Sequence, residues 1–173
     1  MLSHEAVKFD VTEENSTEEG GVTVVAVKLG NYAQKGIIKI SKTGEVFASV
    51  AAADGVYQPV YTVQGLAGAT YEIKATEDIY TPDGTLRCSA GEMVDTVTTG
   101  ADGTAESKPL YLGKYGITEM KAPDGMVVNK GAHTAELVYA GQEIEITETA
   151  ASFCNDRQKA RISLSKVLEQ NKQ

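Results

Sequence analysis

A chain of 173 residues with 42% hydrophobic content has room for one core of ordinary size plus flanking pieces, and it is too apolar for a disordered segment. A formal charge of −8 with no basic stripe excludes a phosphate-backbone binder, so no nucleic acid partner is expected. No apolar run is long enough to span a membrane as a helix, and Met1-Leu2-Ser3-His4-Glu5 has neither half of a signal peptide.

The first residues carry an acidic, turn-rich stretch, Glu13-Glu14-Asn15-Ser16-Thr17-Glu18-Glu19-Gly20-Gly21, and then a predicted strand over 22–31. Next comes Gly36-Ile37-Ile38-Lys39-Ile40-Ser41-Lys42, a strand by alternation. Ile38 and Ile40 share one face, and by the same parity Lys42 falls on it too. An unpaired ammonium on a core face is too costly to keep charged, so this lysine calls for a partner. Two later strands break the rule in the same way. Glu119 shares a face with Tyr115 and Ile117, and Asn155 shares one with Ala151 and Phe153. A Lys, Glu or Asn at a single strand end is ordinary; three complementary ones in one small β domain point to a shared site.

Further strands are predicted over 57–63, 70–75, 92–98, 105–112, 114–120, 134–139 and 143–149. Four Asp-Gly pairs (Asp54-Gly55, Asp83-Gly84, Asp102-Gly103, Asp124-Gly125) supply tight turns in which glycine takes a positive φ. Short strands with turn signals between them predict an all-β antiparallel sandwich or barrel. Cys88 and Cys154 have no metal-type spacing, and parity turns Cys154 outward as a free surface thiol. The Asp-Gly turns lack the alternating ligands of an EF-hand loop, so no metal is expected. No catalytic motif of a turnover enzyme is present.

An internal repeat sets the organisation. Asn31, Gln34, Lys35, Ile38, Ile40, Ser41 and Lys42 recur at the same spacing as Asn155, Gln158, Lys159, Ile162, Leu164, Ser165 and Lys166, and His4-Glu5-Ala6 loosely echoes His133-Thr134-Ala135. The chain therefore divides into the last strands of one domain (1–32), a complete domain (33–159) and the first strand of a following domain (160–173), as expected for a piece of a tandem array.

With Lys42, Glu119 and Asn155 in place, the sequence resembles a Cna protein B-type domain, the SpaA-like prealbumin module of Gram-positive pilins and surface adhesins. Ile38-Lys39-Ile40-Ser41-Lys42 is similar to that family's first strand with its reactive lysine. Leu66-Ala67-Gly68-Ala69-Thr70-Tyr71-Glu72-Ile73 is similar to its Leu-x-Gly-Ala-x-Phe-x-Ile signature. Tyr115-Gly116-Ile117-Thr118-Glu119-Met120-Lys121-Ala122-Pro123-Asp124-Gly125 resembles the segment with its catalytic glutamate, and Phe153-Cys154-Asn155 the last strand with its acceptor asparagine. Met126 departs from the family's usual tyrosine, and residues 44–64 form a longer insertion than usual.

The resemblance implies a prealbumin-like or immunoglobulin-like β-sandwich and an intramolecular isopeptide bond between Lys42 and Asn155, assisted by Glu119. Burial favours the neutral forms of Lys42 and Glu119, so the free amine attacks the carboxamide while the protonated acid polarises its oxygen. This is a single-turnover maturation, not enzymatic turnover, and needs no cofactor. Asn31 and Lys166 become cross-link candidates of the flanking domains. The implied partners are neighbouring domains of the same chain and a host extracellular protein or glycan; the implied location is the bacterial cell surface or wall. The alternative is a ligand-binding adhesin domain of the same fold without a cross-link, with its groove on 44–64 or on the Asp-Gly loops.

Overall fold

Alternation along the chain becomes a two-sheet sandwich in the computed structural model, which describes residues 8–26 and 31–167. Among the described residues every regular element is a strand. A separate hairpin, β1 (Ser16–Glu19) and β2 (Val22–Val25), turns at Gly20-Gly21. Then follow β3 (Lys35–Ala53), β4 (Val56–Gly65), β5 (Thr70–Ala75), β6 (Ile79–Tyr80), β7 (Leu86–Cys88), β8 (Met93–Thr98), β9 (Thr104–Glu106), β10 (Leu110–Tyr111), β11 (Gly113–Lys121), β12 (His133–Leu137) and β13 (Ile146–Asn155).

One sheet is built on β3. β13 lies parallel along one edge of it, while β10, β9 and β4 follow one another along the other. The second sheet has the order β12-β11-β5-β8, all antiparallel. β6 and β7 form a small hairpin apart. The inner faces meet in one core, in which Ile38, Ile40 and Phe153 face Tyr71, Ile73 and Ile117. Every residue of this core cluster lies between Ile38 and Phe153, within the span expected for the complete domain.

The parity argument holds residue by residue. From Lys35 to Gly44 half-buried and buried positions alternate strictly, and Ile38, Ile40 and Lys42 are the inward ones. Tyr115, Ile117 and Glu119 alternate likewise on β11, as do Ala151, Phe153 and Asn155 on β13. The glycines of all four Asp-Gly pairs have φ between 76° and 79°. Both described cysteines are free, Cys88 buried and Cys154 exposed.

The structure corrects several strand limits. The stretch 105–112 is broken into β9 and β10, because Pro109 has no N–H to give the ladder and Ser107 instead exchanges bonds with Ile38 at 3.0 Å. The stretches expected as strands at 143–149 and 151–155 form one continuous strand, Ile146–Asn155. Of the stretch 22–31, strand pairing covers Val22–Val25, and 27–30 lie outside the described residues. Residues 160–167 have strand-like alternation but pair with no described strand, and Ile162 and Leu164 stand 84% and 94% exposed. Alternation makes a strand only where a neighbouring strand takes up its backbone groups; residues 168–173 lie outside the described residues. His4 does too.

The insertion 44–64 is a ribbon rather than a loop. β3 continues past the sandwich and returns as β4 through Asp54-Gly55, whose φ values of 52° and 77° suit a type I′ hairpin turn. A register shift between Phe47 and Ser49 bends it, and Phe47, Val50, Tyr57 and Val63 are exposed along it.

Candidate functional site

Lys42, Glu119 and Asn155 meet at one end of the core. Lys42 and Asn155 come from adjacent parallel strands: Lys42 stands opposite Phe153, and Asn155 opposite Gly44, so two inward side chains sit side by side. A Cβ on Gly44 would come within 2.6 Å of Leu66 Cδ1 and 3.4 Å of both the Asn155 carbonyl oxygen and Met126 Cε, so glycine leaves the room this corner needs. Glu119 reaches across from β11 of the opposite sheet.

All three residues are buried, at 0%, 3% and 4% exposure for Lys42, Glu119 and Asn155. The Lys42 ammonium is in ionic contact with Glu119 Oε1 at 2.9 Å. The Asn155 amide donates from Nδ2 to Oε1 and Oε2, both at 2.9 Å. The amine and the carboxamide thus converge on one carboxylate oxygen. Their remaining capacity is unused: Lys42 Nζ has no well-angled acceptor, and Asn155 Oδ1 accepts from no described group. Unsatisfied polar atoms in a dry core are costly and mark a place held for something other than stability.

Two further groups close on the carboxylate that the sequence did not single out. Tyr71, in register with Glu119 on the neighbouring β5, donates its hydroxyl to Oε1 at 3.3 Å. The main-chain N–H of Asn129, on the segment after β11, donates to Oε2 at 2.6 Å. Tyr71 lay inside a quoted signature, where a hydroxyl in place of phenylalanine was the available signal. A backbone donor leaves no trace in sequence.

These donors correct one expectation. Burial does push the Glu119 carboxyl towards protonation, but the Asn129 amide, the Lys42 ammonium and the Asn155 amide together outweigh it and hold the group below the usual carboxylate range. The folded, unreacted site is therefore an ion pair, and the carboxamide turns its nitrogen, not its oxygen, to the anion. Burial and the Glu119 charge conversely push the Tyr71 phenol well above its ordinary value.

Beside Asn155 opens a cleft of about 310 Å³ lined by residues 127–130 and 154–156. The flanking candidates stay apart from this site, for Asn31 and Lys166 are both exposed and outside any strand. At the opposite end of β3, a cleft of about 360 Å³ is walled by Tyr32, Tyr80, Tyr111 and Tyr139.

Fold and inward-facing residues define an all-β prealbumin-like sandwich. The family described as the SpaA prealbumin-like fold domain matches residues 60–150, more than half of the chain, and the chain belongs to that family. It is 32% identical over 74 residues to the trypsin-resistant surface T6 protein of Streptococcus pyogenes serotype M6, covering 42% of this chain and 14% of that protein. The chain therefore spans a small part of the curated relative it matches. Among solved structures it is similar to GBS52, the minor pilin of Streptococcus agalactiae, with 15% identity, 78% of this chain and 49% of that chain covered, and a TM-score of 0.47. It is also similar to the full-length major pilin SpaD from Corynebacterium diphtheriae, with 22% identity, coverage of 72% and 30%, and a TM-score of 0.45.

Proposed function

We propose that residues 33–159 form a load-bearing module of a Gram-positive pilin or surface stalk, closed by a self-formed isopeptide bond between Lys42 and Asn155. The observation that carries this reading is the convergence of Lys42 Nζ and Asn155 Nδ2 on Glu119 Oε1, each at 2.9 Å, in a buried corner.

The chemistry starts from the ion pair. One proton passes across the 2.9 Å contact from Lys42 to Glu119, giving a neutral amine and a neutral acid with no change in net charge. Rotation of the Asn155 amide then turns the unpartnered Oδ1 to the new O–H, which polarises the carbonyl. Nζ attacks Cγ, the Nζ–Cγ bond forms and the Cγ–Nδ2 bond breaks. Two of the three Nζ protons reach Nδ2 by way of Glu119, which ends as the carboxylate it began as, and Nδ2 departs as ammonium through the adjoining cleft. Fixed proximity makes so sluggish an aminolysis feasible, with effective molarities of roughly 10⁵–10⁸ M.

The test is the intact mass of the denatured chain beside Lys42→Ala and Glu119→Ala. A deficit of one ammonia in wild type and in neither variant is expected. A wild-type mass equal to that of the sequence would sink the cross-link. The same fold would then be taken as a passive or ligand-binding sandwich, and the tyrosine-walled cleft, rather than the exposed 44–64 ribbon, would be the concave surface to probe.

The repeat extends the proposal to Asn31 and Lys166 as acceptor and nucleophile of flanking domains. Both are expected to stay unreacted in this chain, because a second segment like 115–125 does not occur in it. The implied setting is the cell surface, with neighbouring domains as the partners along the stalk and host protein or glycan as what such a stalk meets.

A further inference from the structure

The cross-linking chemistry leaves one buried group around Glu119 unused, the hydroxyl of Tyr71. Its ring is fully buried and rests on Phe153, with centroids 4.6 Å apart. Its oxygen lies 3.3 Å from Oε1, the oxygen that Lys42 and Asn155 also reach. The other carboxylate oxygen is held by the Asn129 N–H, a main-chain donor that cannot turn round. Oε1 is therefore the oxygen on which a proton comes and goes, and it is there that a two-way partner has work to do. A tyrosine hydroxyl is such a partner, since it rotates and can donate or accept.

We propose that Tyr71 is a positioning residue for the cross-linking step, holding Glu119 Oε1 between the Lys42 amine and the Asn155 carboxamide whether or not the carboxyl carries a proton. This presupposes the cross-linking reading above. Tyr71 donates to the carboxylate in the ion pair and accepts from the acid once Lys42 has given up its proton; it gains and loses no proton of its own. Packing alone does not call for the hydroxyl, because the signature that this stretch resembles carries phenylalanine at the same place. Tyr71→Phe is for that reason expected to fold.

The charged groups facing Tyr71 are Glu119 from β11 and, through the shared Oε1, Lys42 from β3; Asn155 of β13 is polar and uncharged. His133 of β12 abuts Phe153 on the side away from Tyr71, with ring centroids 4.3 Å apart. Below the pH at which Glu119 is ionised, Lys42 has no base to receive its proton, so the rate of cross-linking has an acid limb set by Glu119. Removing a donor from the anion weakens its hold on the ionised form and moves that limb to higher pH.

Wild type, Tyr71→Phe and Phe153→Leu would be recovered unfolded in denaturant and refolded across a pH series, and loss of one ammonia followed by intact mass against time. Tyr71→Phe is expected to cross-link about tenfold more slowly, because a carboxyl no longer held between the amine and the carboxamide is misplaced for the step, with its acid limb displaced upward. Phe153→Leu loosens the same packing but keeps the hydroxyl, and is expected to leave the limb in place. Tyr71→Phe with the wild-type rate and limb, or a limb displaced equally by Phe153→Leu, overturns the assignment while leaving the cross-link standing. No ammonia loss in wild type overturns the cross-link and the role of Tyr71 with it. Were Tyr71→Phe not to fold, a fluorinated tyrosine at 71 would keep the shape and make the hydroxyl more acidic; a displaced limb supports the assignment and an unmoved one overturns it.

Discussion

Asn155→Ala and Lys42→Ala both forbid the cross-link but leave different residues behind, and the difference between them can be worked from the structure. A Lys42–Asn155 bond closes a loop of roughly 110 residues, which on loop-closure entropy constrains the unfolded chain by about 4–5 kcal/mol. Asn155→Ala removes that constraint and the two amide contacts, yet keeps Lys42 against Glu119 at 2.9 Å. Lys42→Ala removes the constraint and also strands a buried carboxylate, at a further cost of about 3–5 kcal/mol. For a domain of this size each kcal/mol moves the midpoint by roughly 3–6 °C, so Asn155→Ala should melt roughly 15–25 °C below wild type and Lys42→Ala lower again. The assay is thermal unfolding by circular dichroism, with intact mass read on the same samples. Equal midpoints for wild type and Asn155→Ala would refute the loop-closure reasoning. A Lys42→Ala midpoint no lower than that of Asn155→Ala would refute the claim that Glu119 is held as an anion by its lysine.

Other outcomes follow from the same geometry. In the folded chain before ammonia is lost, Glu119 is held below its unfolded value, so its contribution is present above about pH 4.3 and is lost as pH falls through the folded value; urea midpoints between about pH 3 and 7 should decline on that side, and a flat profile would contradict the shift. Tyr71 and Tyr115 have the opposite sign: burial raises both phenols, so the stability they contribute is present below about pH 10 and lost as pH rises beyond it, which phenolate absorbance and unfolding midpoints would show together. Gly65→Ala should cost at least about 2 kcal/mol in urea unfolding, since its Cβ would lie 2.0 Å from the Asp102 carbonyl oxygen and 2.6 Å from its carbon, backbone atoms with nowhere to go. Shortening the ribbon by joining residue 47 to residue 61 through a two-residue turn should leave the midpoint within a few degrees and the ammonia deficit intact, because the ribbon's side chains are almost all exposed.

The three inward polar residues were legible because a strand has a period of two, and a period of two has no tolerance: once Ile38 and Ile40 face inward, Lys42 must. Residue parity could not say that Lys42 and Asn155 lie on neighbouring strands, since the parallel pairing of β3 and β13 is a contact between the two ends of the domain. The resemblance supplied that juxtaposition. The ionisation of Glu119 was misjudged for a related reason. Burial is visible in sequence as parity, but the N–H of Asn129 that overcomes it comes from a loop whose path is set by tertiary structure. The break at Pro109 was there to be read; the exchange between Ser107 and Ile38 was not. Over 160–167 the sequence promises a strand and the described chain pairs it with nothing, since pairing needs a second strand and alternation supplies half of one.

The parallel pairing also decides what the proposed bond does for a stalk. Because β3 and β13 run the same way, the chain enters the domain at the start of β3, near Lys35, and leaves at the far end of β13, at Asn155. Pulling on these two points slides one strand along the other and loads the ladder between Lys35 and Gly44 in shear, all its hydrogen bonds at once. The bond lies at the exit end of that ladder. Tension entering at Lys35 runs along β3 to Lys42, crosses to Asn155 and leaves, so neither the ribbon, nor the second sheet, nor β13 itself is in the covalent path. A disulfide between the exposed Cys154 and a surface site would close a similar loop, yet it would be open to reductants. The proposed amide, packed beside Tyr71 and Phe153, would be indifferent to reductants. The features that make this corner a poor place for a stable ion pair make it a durable place for a bond.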